Sequence, residues 1–258
     1  MLFIDESLHF DPDSLDDTVV GLAADLGQHD SGLHRHTKGQ LLYAPQGCMN
    51  FELADSVCVL PPTKAVWIPS GTLHRAYMTN VVAYRSLYFD HRFYPCPSKI
   101  TTIVVDDFLK ELINKMALWP AGKPELETRN YCNLFWEEFY ASERYFCHLP
   151  LPKDDRLDCF RQQLSGDQFL VPDLVSLASS VPMSSKTVTR IFKAETGMPY
   201  QDWRQQWRKL KAIELLCQKR QVSEVAYSLE FSSDSAFIAF FKKHTGQTPL
   251  QFIKGNVY

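Results

Sequence analysis

The tightest constraint on this chain is a change of hydrophobic period near residue 105. Upstream, the runs VVGLAADL, QLLYAP, MNFELA, VCVLPP, AVWIPS and VVAYRSLYF are short and rich in Val, Tyr, Phe and Trp. Gly, Pro, Asn or Asp separates them. Short apolar runs with frequent turn residues predict an all-β sandwich or barrel. Downstream, VDDFLKELINKMALW sets Phe108, Leu109, Leu112, Ile113 and Met116 at helical spacing, with Asp106 and Asp107 near the helix start, where negative charge is favoured. ELETRNYCNLFWEEFYASERYF is helical again, with Leu134, Phe135 and Phe139 on one side. Pro150 and Pro152 break the pattern, and 153–254 reads as helices bounded by Ser, Asp, Pro or Gly at capping positions.

The expected organisation is therefore a two-domain α+β chain. Residues 1–104 form a β-barrel, 105–152 form linker or dimerisation helices, and 153–258 form an all-α domain. The length of 258 residues suits two domains. No run approaches the roughly 18 apolar residues of a membrane span. The opening MLFIDESLHFDPDSLDD is acidic and unlike a targeting segment, so a cytoplasmic location is expected. Seven scattered cysteines with no Cys-x-x-Cys argue against a zinc ribbon or disulfide framework, and predict buried, reduced thiols. Charge is uneven: residues 165–258 hold 12 Lys and Arg against 8 Asp and Glu, whereas 1–164 hold 15 against 22. A mildly basic C-terminal part is the part that would meet a polyanion.

Two segments of that part share a plan. Leu174, Val175, Leu177 and Ala178 begin a helix, Val181-Pro182-Met183 break it, and Ser184 caps a second helix with Val188, Ile191 and Phe192 inward. Val222, Val225 and Ala226 begin another, Leu229-Glu230-Phe231 break it, and a restart at Ser232 turns Ala236, Phe237, Phe240 and Phe241 inward. Each is a helix-turn-helix unit whose second helix is free to enter a DNA major groove. A long helix over Tyr200 to Gln218, with Trp203, Leu210, Ile213, Leu216 and Cys217 as core stripe and Arg204, Arg208, Lys209 and Lys211 as charge, would hold the units about one DNA turn apart.

The stretches LASSVPMSSKTVTRIFKAETGMPYQDWRQQWRKLKA and VSEVAYSLEFSSDSAFIAFFKKHTGQTP resemble the AraC/XylS transcription regulators. The resemblance covers about 100 residues without a gap. It implies DNA contact through Ser185, Lys186, Thr187, Thr189 and Arg190 on the first reading helix. On the second it implies contact through Ser233, Asp234 and Ser235, with Lys242 and Lys243 further along. Lys and Arg bond guanine, and Thr bonds a base or touches a thymine methyl. Asp234 and two serines make a poorly basic tip, so the second unit is expected to position on phosphates more than to read sequence. Pro182 and Glu230 depart from the pattern, because the family often has Gly in each turn.

In the β half, GLHRHTKGQ sets His34 and His36 two apart, a spacing that holds a metal or lines a ligand pocket. On a strand the two share a face. With Gln40, Gly47 and the later Pro69-x-Gly71-x-x-His74, the segment resembles the cupin motifs. That resemblance implies a divalent metal held by His34, His36, His74 and the residue at position 40, where cupins have Glu. A neutral Gln40 weakens a hard dication, but three imidazoles still suit Zn, Ni, Co or Fe. A metal-free effector pocket stays open beside this. Tyr43, Trp67, Tyr77, Arg85 and Tyr88 are the expected pocket residues in either case.

These readings combine into a DNA-binding transcription regulator, not an enzyme. Its sensor takes a metal or small molecule and adjusts promoter binding. Promoter DNA, RNA polymerase and a second copy of the chain are the expected partners. The alternatives are a metal-dependent cupin dioxygenase or isomerase joined to a DNA-binding module, and an architectural DNA binder with an inert barrel.

Overall fold

The structure is a computed structural model and describes residues 10–78, 82–145, 148–164, 166 and 169–255. Its contacts divide the chain into two compact units, one of residues 1–51 and 60–147, the other mainly 148–256 with 52–59.

The strands before the helices are β1 (Val19–Leu26), β2 (His29–Asp30), β3 (Gly39–Gln46), β4 (Met49–Leu53), β5 (Ser56–Leu60), β6 (Lys64–Ile68), β7 (His74–Met78), β8 (Val82–Phe89) and β9 (Thr101–Val104), of which β5 belongs almost wholly to the second unit. Strands β1-β8-β3-β6-β9 make one five-stranded sheet. The second sheet has the order β10-β5-β4-β7-β2, where β10 is Leu149–Pro150. The arrangement is sandwich-like, not a closed barrel. Alternating hydrophobicity specifies a strand with two distinct faces but does not state whether sheet edges close.

Antiparallel pairing sets Gln40 opposite Tyr88, Leu42 opposite Ser86, and Tyr43 opposite Arg85. Gln40, Leu42, Tyr84, Ser86 and Tyr88 therefore face one way, and Leu41, Tyr43, Arg85, Leu87 and Phe89 the other. The second face is covered by α1 (Asp107–Ala117) and α2 (Glu125–Ala141). Asp106 caps α1 through Leu109 N. Leu109, Leu112, Ile113 and Met116 pack down, while Phe108 stays exposed at the stripe's margin. Phe135 and Phe139 of α2 are fully buried on this sheet, with Trp67 and Trp136 at a ring spacing of 5.1 Å. Leu134 is partly buried on the same core. The helices at 105–141 thus complete the β unit's own core and do not form a separate linker. Gly21 permits this: a Cβ there would lie 2.1 Å from the Met116 carbonyl oxygen.

The second unit contains α3 (Asp158–Gln163), α4 (Leu174–Ser180), α5 (Ser185–Thr196), α6 (Tyr200–Cys217), α7 (Val222–Ser228), α8 (Asp234–Thr245) and α9 (Pro249–Gly255). Asp173 caps α4 and Ser184 caps α5. Ser233, one residue after the expected Ser232, caps α8. Trp203 of α6 is fully buried beside Phe160, Phe192 and Tyr200, and its indole N–H donates to Pro150 O at 2.6 Å. Cys96, Cys132, Cys159 and Cys217 are free thiols, though Cys159 is exposed, against the expectation of burial. Cys58 is disulfide-bonded, contrary to the all-reduced expectation.

The two turns differ. Glu230 has φ 56°, a left-handed backbone that a side chain disfavours, whereas Pro182 does not sit at positive φ. The nearest ion-pair partner of Glu230, Arg204 at 3.9 Å, adds little because the Glu230 side chain is largely exposed. Glu230→Gly is expected to stabilise the domain by about 0.5–1 kcal/mol, the relieved strain being partly offset by glycine's freer unfolded state. Pro182→Gly is expected to destabilise it by a similar amount, about 0.4–1 kcal/mol. Urea denaturation of the two variants checks both signs.

Candidate effector site and nucleic-acid interface

His34 pairs with His74 of β7 in an isolated antiparallel bridge, each backbone N–H donating to the other's carbonyl at 2.9 Å. His36 follows in a loop that Asp13 fixes. The Asp13 carboxylate accepts from Thr37 N at 2.7 Å and from Thr37 Oγ1 at 2.8 Å. Burial opposes its ionisation, but those bonds outweigh burial and hold its carboxyl below the usual range. The Lys38 ammonium donates to Pro12 O at 2.8 Å and Leu15 O at 2.7 Å. The loop is thereby pinned on both sides before β3 begins.

The three imidazoles converge. Their ligand atoms all lie within 4.8 Å of one another, with His36 and His74 buried and His34 half-buried. Each Nδ1 meets a backbone carbonyl: His34 that of Gly32 at 3.0 Å, His36 that of Lys38 at 2.5 Å, and His74 that of Thr72 at 2.9 Å. A carbonyl accepts only, so Nδ1 carries the proton and the neutral ring's lone pair lies on Nε2. The Nε2 atoms of His36 and His74 each stand 3.0 Å from Gln40 Oε1. Gln40 Nε2 donates on its other side, with Ser86 Oγ at 2.8 Å, Tyr88 OH at 2.9 Å and Tyr84 OH at 3.2 Å.

The Nε2 lone pairs of His36 and His74 and those of the amide oxygen therefore point at one another. Three things resolve such a meeting: a cation among them, protonated imidazoles, or an amide turned end for end. Protonation is opposed at His74, where burial pushes the imidazole down to about 3 despite the Thr72 carbonyl. A borderline dication fits the donor set, and carbonyl acceptors behind the rings are the usual support for metal-binding histidines. The inverted amide would instead donate to both rings and leave the site metal-free.

Of the five residues expected to line the pocket, Tyr88 alone is placed here. Tyr43, Trp67 and Arg85 lie on the opposite, helix-covered face of the sheet. Tyr43 and Trp67 belong to the core under α1 and α2, and Arg85 donates to Tyr84 O and Asn114 Oδ1. Tyr77 lies on the outer side of β7 under Arg75, whose guanidinium is 5.0 Å from its ring. Tyr84, Ser86, Asp13 and Lys38 were missed. Tyr84-x-Ser86-x-Tyr88 carried a signal, a polar residue at every second place in a strand.

In the second unit, Lys186 and Arg190 are exposed on α5, and Ser185, Thr187 and Thr189 are half-buried. Thr187 Oγ1 is 3.0 Å from Ser184 Oγ, so it belongs to the cap. Lys193, missed by the sequence reading, extends the Lys186 and Arg190 stripe by one turn. On α8, Asp234, Ser235, Lys242 and Lys243 are exposed, and Ser233 is the cap. The cations of α6 serve the scaffold. Arg204 donates to Val171 O, Arg208 donates to Leu229 O and lies 3.9 Å over the Phe231 ring, and Lys211 pairs with Glu214 at 2.9 Å.

A β unit with a converging polar pocket, joined to paired helix-turn-helix units, is the layout of a one-component DNA-binding regulator. The family comparisons give the same two parts: an AraC-like ligand binding domain matches residues 18–95, and a helix-turn-helix domain matches 177–255. The HTH-type transcriptional regulator NimR of Escherichia coli is 27% identical over 247 residues, 95% of this chain and 90% of NimR. RipA of Corynebacterium diphtheriae is 35% identical over 79 residues, 31% of this chain and 24% of RipA. Among solved structures, the DNA-binding domain of AdpA in complex with a target DNA is 27% identical, covering 40% of this chain and 93% of that one at a TM-score of 0.36. The chain belongs to the AraC family of transcriptional regulators, with a ligand-binding and a DNA-binding domain. No helix among the described residues is long and apolar enough to cross a membrane.

Gln40→Glu supplies the carboxylate that the donor set lacks, with Tyr84, Ser86 and Tyr88 hydroxyls able to donate to it. Dialysed protein analysed for zinc, nickel, cobalt and iron is expected to retain more metal in Gln40→Glu than in the wild type. Loss of a ligand in His36→Ala should weaken retention at least as much as loss of a supporting partner does, about 10- to 100-fold. Equal retention in all three proteins rejects the metal geometry.

Proposed function

We propose that the β unit is a cytoplasmic sensor whose His34, His36, His74 and Gln40 take zinc, nickel, cobalt or iron. The metal is either the signal or the anchor of a small molecule. The observation that carries this is the facing of the His36 and His74 Nε2 lone pairs and Gln40 Oε1, each 3.0 Å from that oxygen. His34, His36 and His74 would hold the ion, Gln40 would turn its oxygen to it, and Tyr84, Ser86 and Tyr88 would fix the amide. The bound ion would supply Lewis acidity and an attachment point. We read this as sensing and not turnover, and assign no catalytic residue.

Occupancy acts on promoter binding only through a difference in affinity between two arrangements of the protein. The regulator would work as a homodimer and touch RNA polymerase. Since Phe135 and Phe139 are used in the β unit's own core, a dimer would draw on the exposed Phe108, Leu118 and Leu126. The testing experiment measures promoter affinity of metal-loaded and chelated protein, wild type and His36→Ala. A metal-dependent shift that His36→Ala abolishes supports the sensor. A wild type indifferent to metal rejects it.

For the output domain, Arg190→Ala is expected to weaken specific promoter binding by roughly 1–3 kcal/mol with an unchanged fold. Titration by fluorescence anisotropy, with circular dichroism as the fold control, checks this. The same titration at rising salt should show a linear loss of log affinity, as Lys186, Arg190 and Lys193 displace counterions.

A further inference from the structure

The pairs α4–α5 and α7–α8 are two copies of one scaffold. Their first caps, Asp173 and Gln221, are 48 residues apart, and their second, Ser184 and Ser233, are 49 apart. The extra residue falls in the turn that holds Glu230. Both α5 and α8 have 12 residues and end on a left-handed glycine, Gly197 at φ 78° and Gly246 at φ 81°. Each has a threonine one place earlier that donates back four residues, Thr196 to Phe192 O at 2.7 Å and Thr245 to Phe241 O at 2.8 Å. Val188, Ile191 and Phe192 match Phe237, Phe240 and Phe241 on the inward side. Equal caps, length and core positions make the outward positions equivalent too. Lys186, Thr189, Arg190 and Lys193 correspond to Ser235, Ile238, Ala239 and Lys242.

The chemistry at those positions is not equivalent. Where α5 carries Thr189 and Arg190, α8 carries Ile238, 37% exposed, and Ala239, also exposed. The core beneath is filled by Phe237 and Phe241, both fully buried, so it does not account for an isoleucine at 238. Asp234 in the first turn repels phosphate, and Lys242 and Lys243 reach it only at the far end. An apolar side chain in the major groove meets one group of its own kind, the C5-methyl of thymine.

We propose that α8 reads thymine methyl groups through Ile238 and Ala239, while α5 reads hydrogen-bonding base edges through Arg190 and Lys186. The two units thus recognise unlike half-sites. The second is a sequence reader, contrary to the phosphate-positioning role that its weak charge suggested. This is independent of what occupies the histidine cluster.

The test uses the full-length protein and a duplex that it selects from a randomised pool. Each thymine is replaced in turn by uracil, which keeps the pairing and removes only the methyl. Loss of one methyl contact is expected to lower affinity about three- to fivefold at one or two positions. Ile238→Ser should lose the response to uracil at the position that Ile238 reads, and keep it at any position read by Ala239. Ile238→Val should keep the sensitivity, and so should Arg190→Ala. Melting curves confirm that the variants fold. A wild type indifferent to every uracil overturns the proposal, as does an equal response in Ile238→Ser. So does an Ile238→Ser that alters transcription without altering DNA affinity, which would mean that a protein partner covers this face.

Discussion

Strand β3 is buried on both faces, and the first unit depends on that. Because side chains alternate along a strand, one face of β3 carries Gln40 to the imidazoles while the other carries Leu41 and Tyr43 under the helices. The neighbouring β8 obeys the same alternation, with Tyr84, Ser86 and Tyr88 toward Gln40 and Leu87 and Phe89 toward α2. A slip of one residue in this pairing would put the amide into the aromatic core and a leucine among the histidines. The apolar packing of α1 and α2 therefore does more than stabilise. It holds the register that aims Gln40 between the imidazoles and the three hydroxyls.

The helical unit is organised around α6, whose buried Trp203, Trp207 and Ile213 give both helix-turn-helix units a common support. Its cations are committed to the interior. Arg204 satisfies Val171 O near the start of the first unit, and Arg208 satisfies Leu229 O and stacks on Phe231 in the turn of the second. Burial lowers the proton affinity of Arg208 and Lys209, as expected of cations drawn out of water. The domain's formal excess of positive charge thus overstates what it offers to a phosphate backbone. That offer is concentrated on α5.

Much of this was legible in the sequence. The helical period and the residues Ser184, Gly197 and Gly246 marked the reading helices, because caps and left-handed glycines are local signals. Glu230 was legible as a misfit, and its φ of 56° is the strain that a missing glycine implies. The histidine cluster was legible from two spacings. What failed was the pocket. Tyr43 lies three places from Gln40 on one strand, so alternation already puts it on the other face. Trp67 and Arg85 needed the pairing register, which depends on contacts far apart in sequence. The closed barrel failed for a related reason: closure is a property of sheet edges, and no single strand encodes it. Aromatic residues such as Trp67 look alike in sequence whether they line a cavity or fill a core.

The repeated caps of α5 and α8 have a consequence for how such a protein diversifies. Ser184, Ser233, Thr196, Thr245 and the two terminal glycines set the pose of each reading helix, and the inward phenylalanines and aliphatics set its depth. The caps and glycines sit at the helix ends and the others face inward, apart from the outward positions in between. Grammar and vocabulary therefore reside in different residues. Substitutions at 186, 189 and 190, or at 235, 238 and 239, can rewrite the operator without disturbing the frame that presents them. A duplicated scaffold can in this way acquire two unrelated alphabets, one of hydrogen bonds and one of methyl groups, within a single chain.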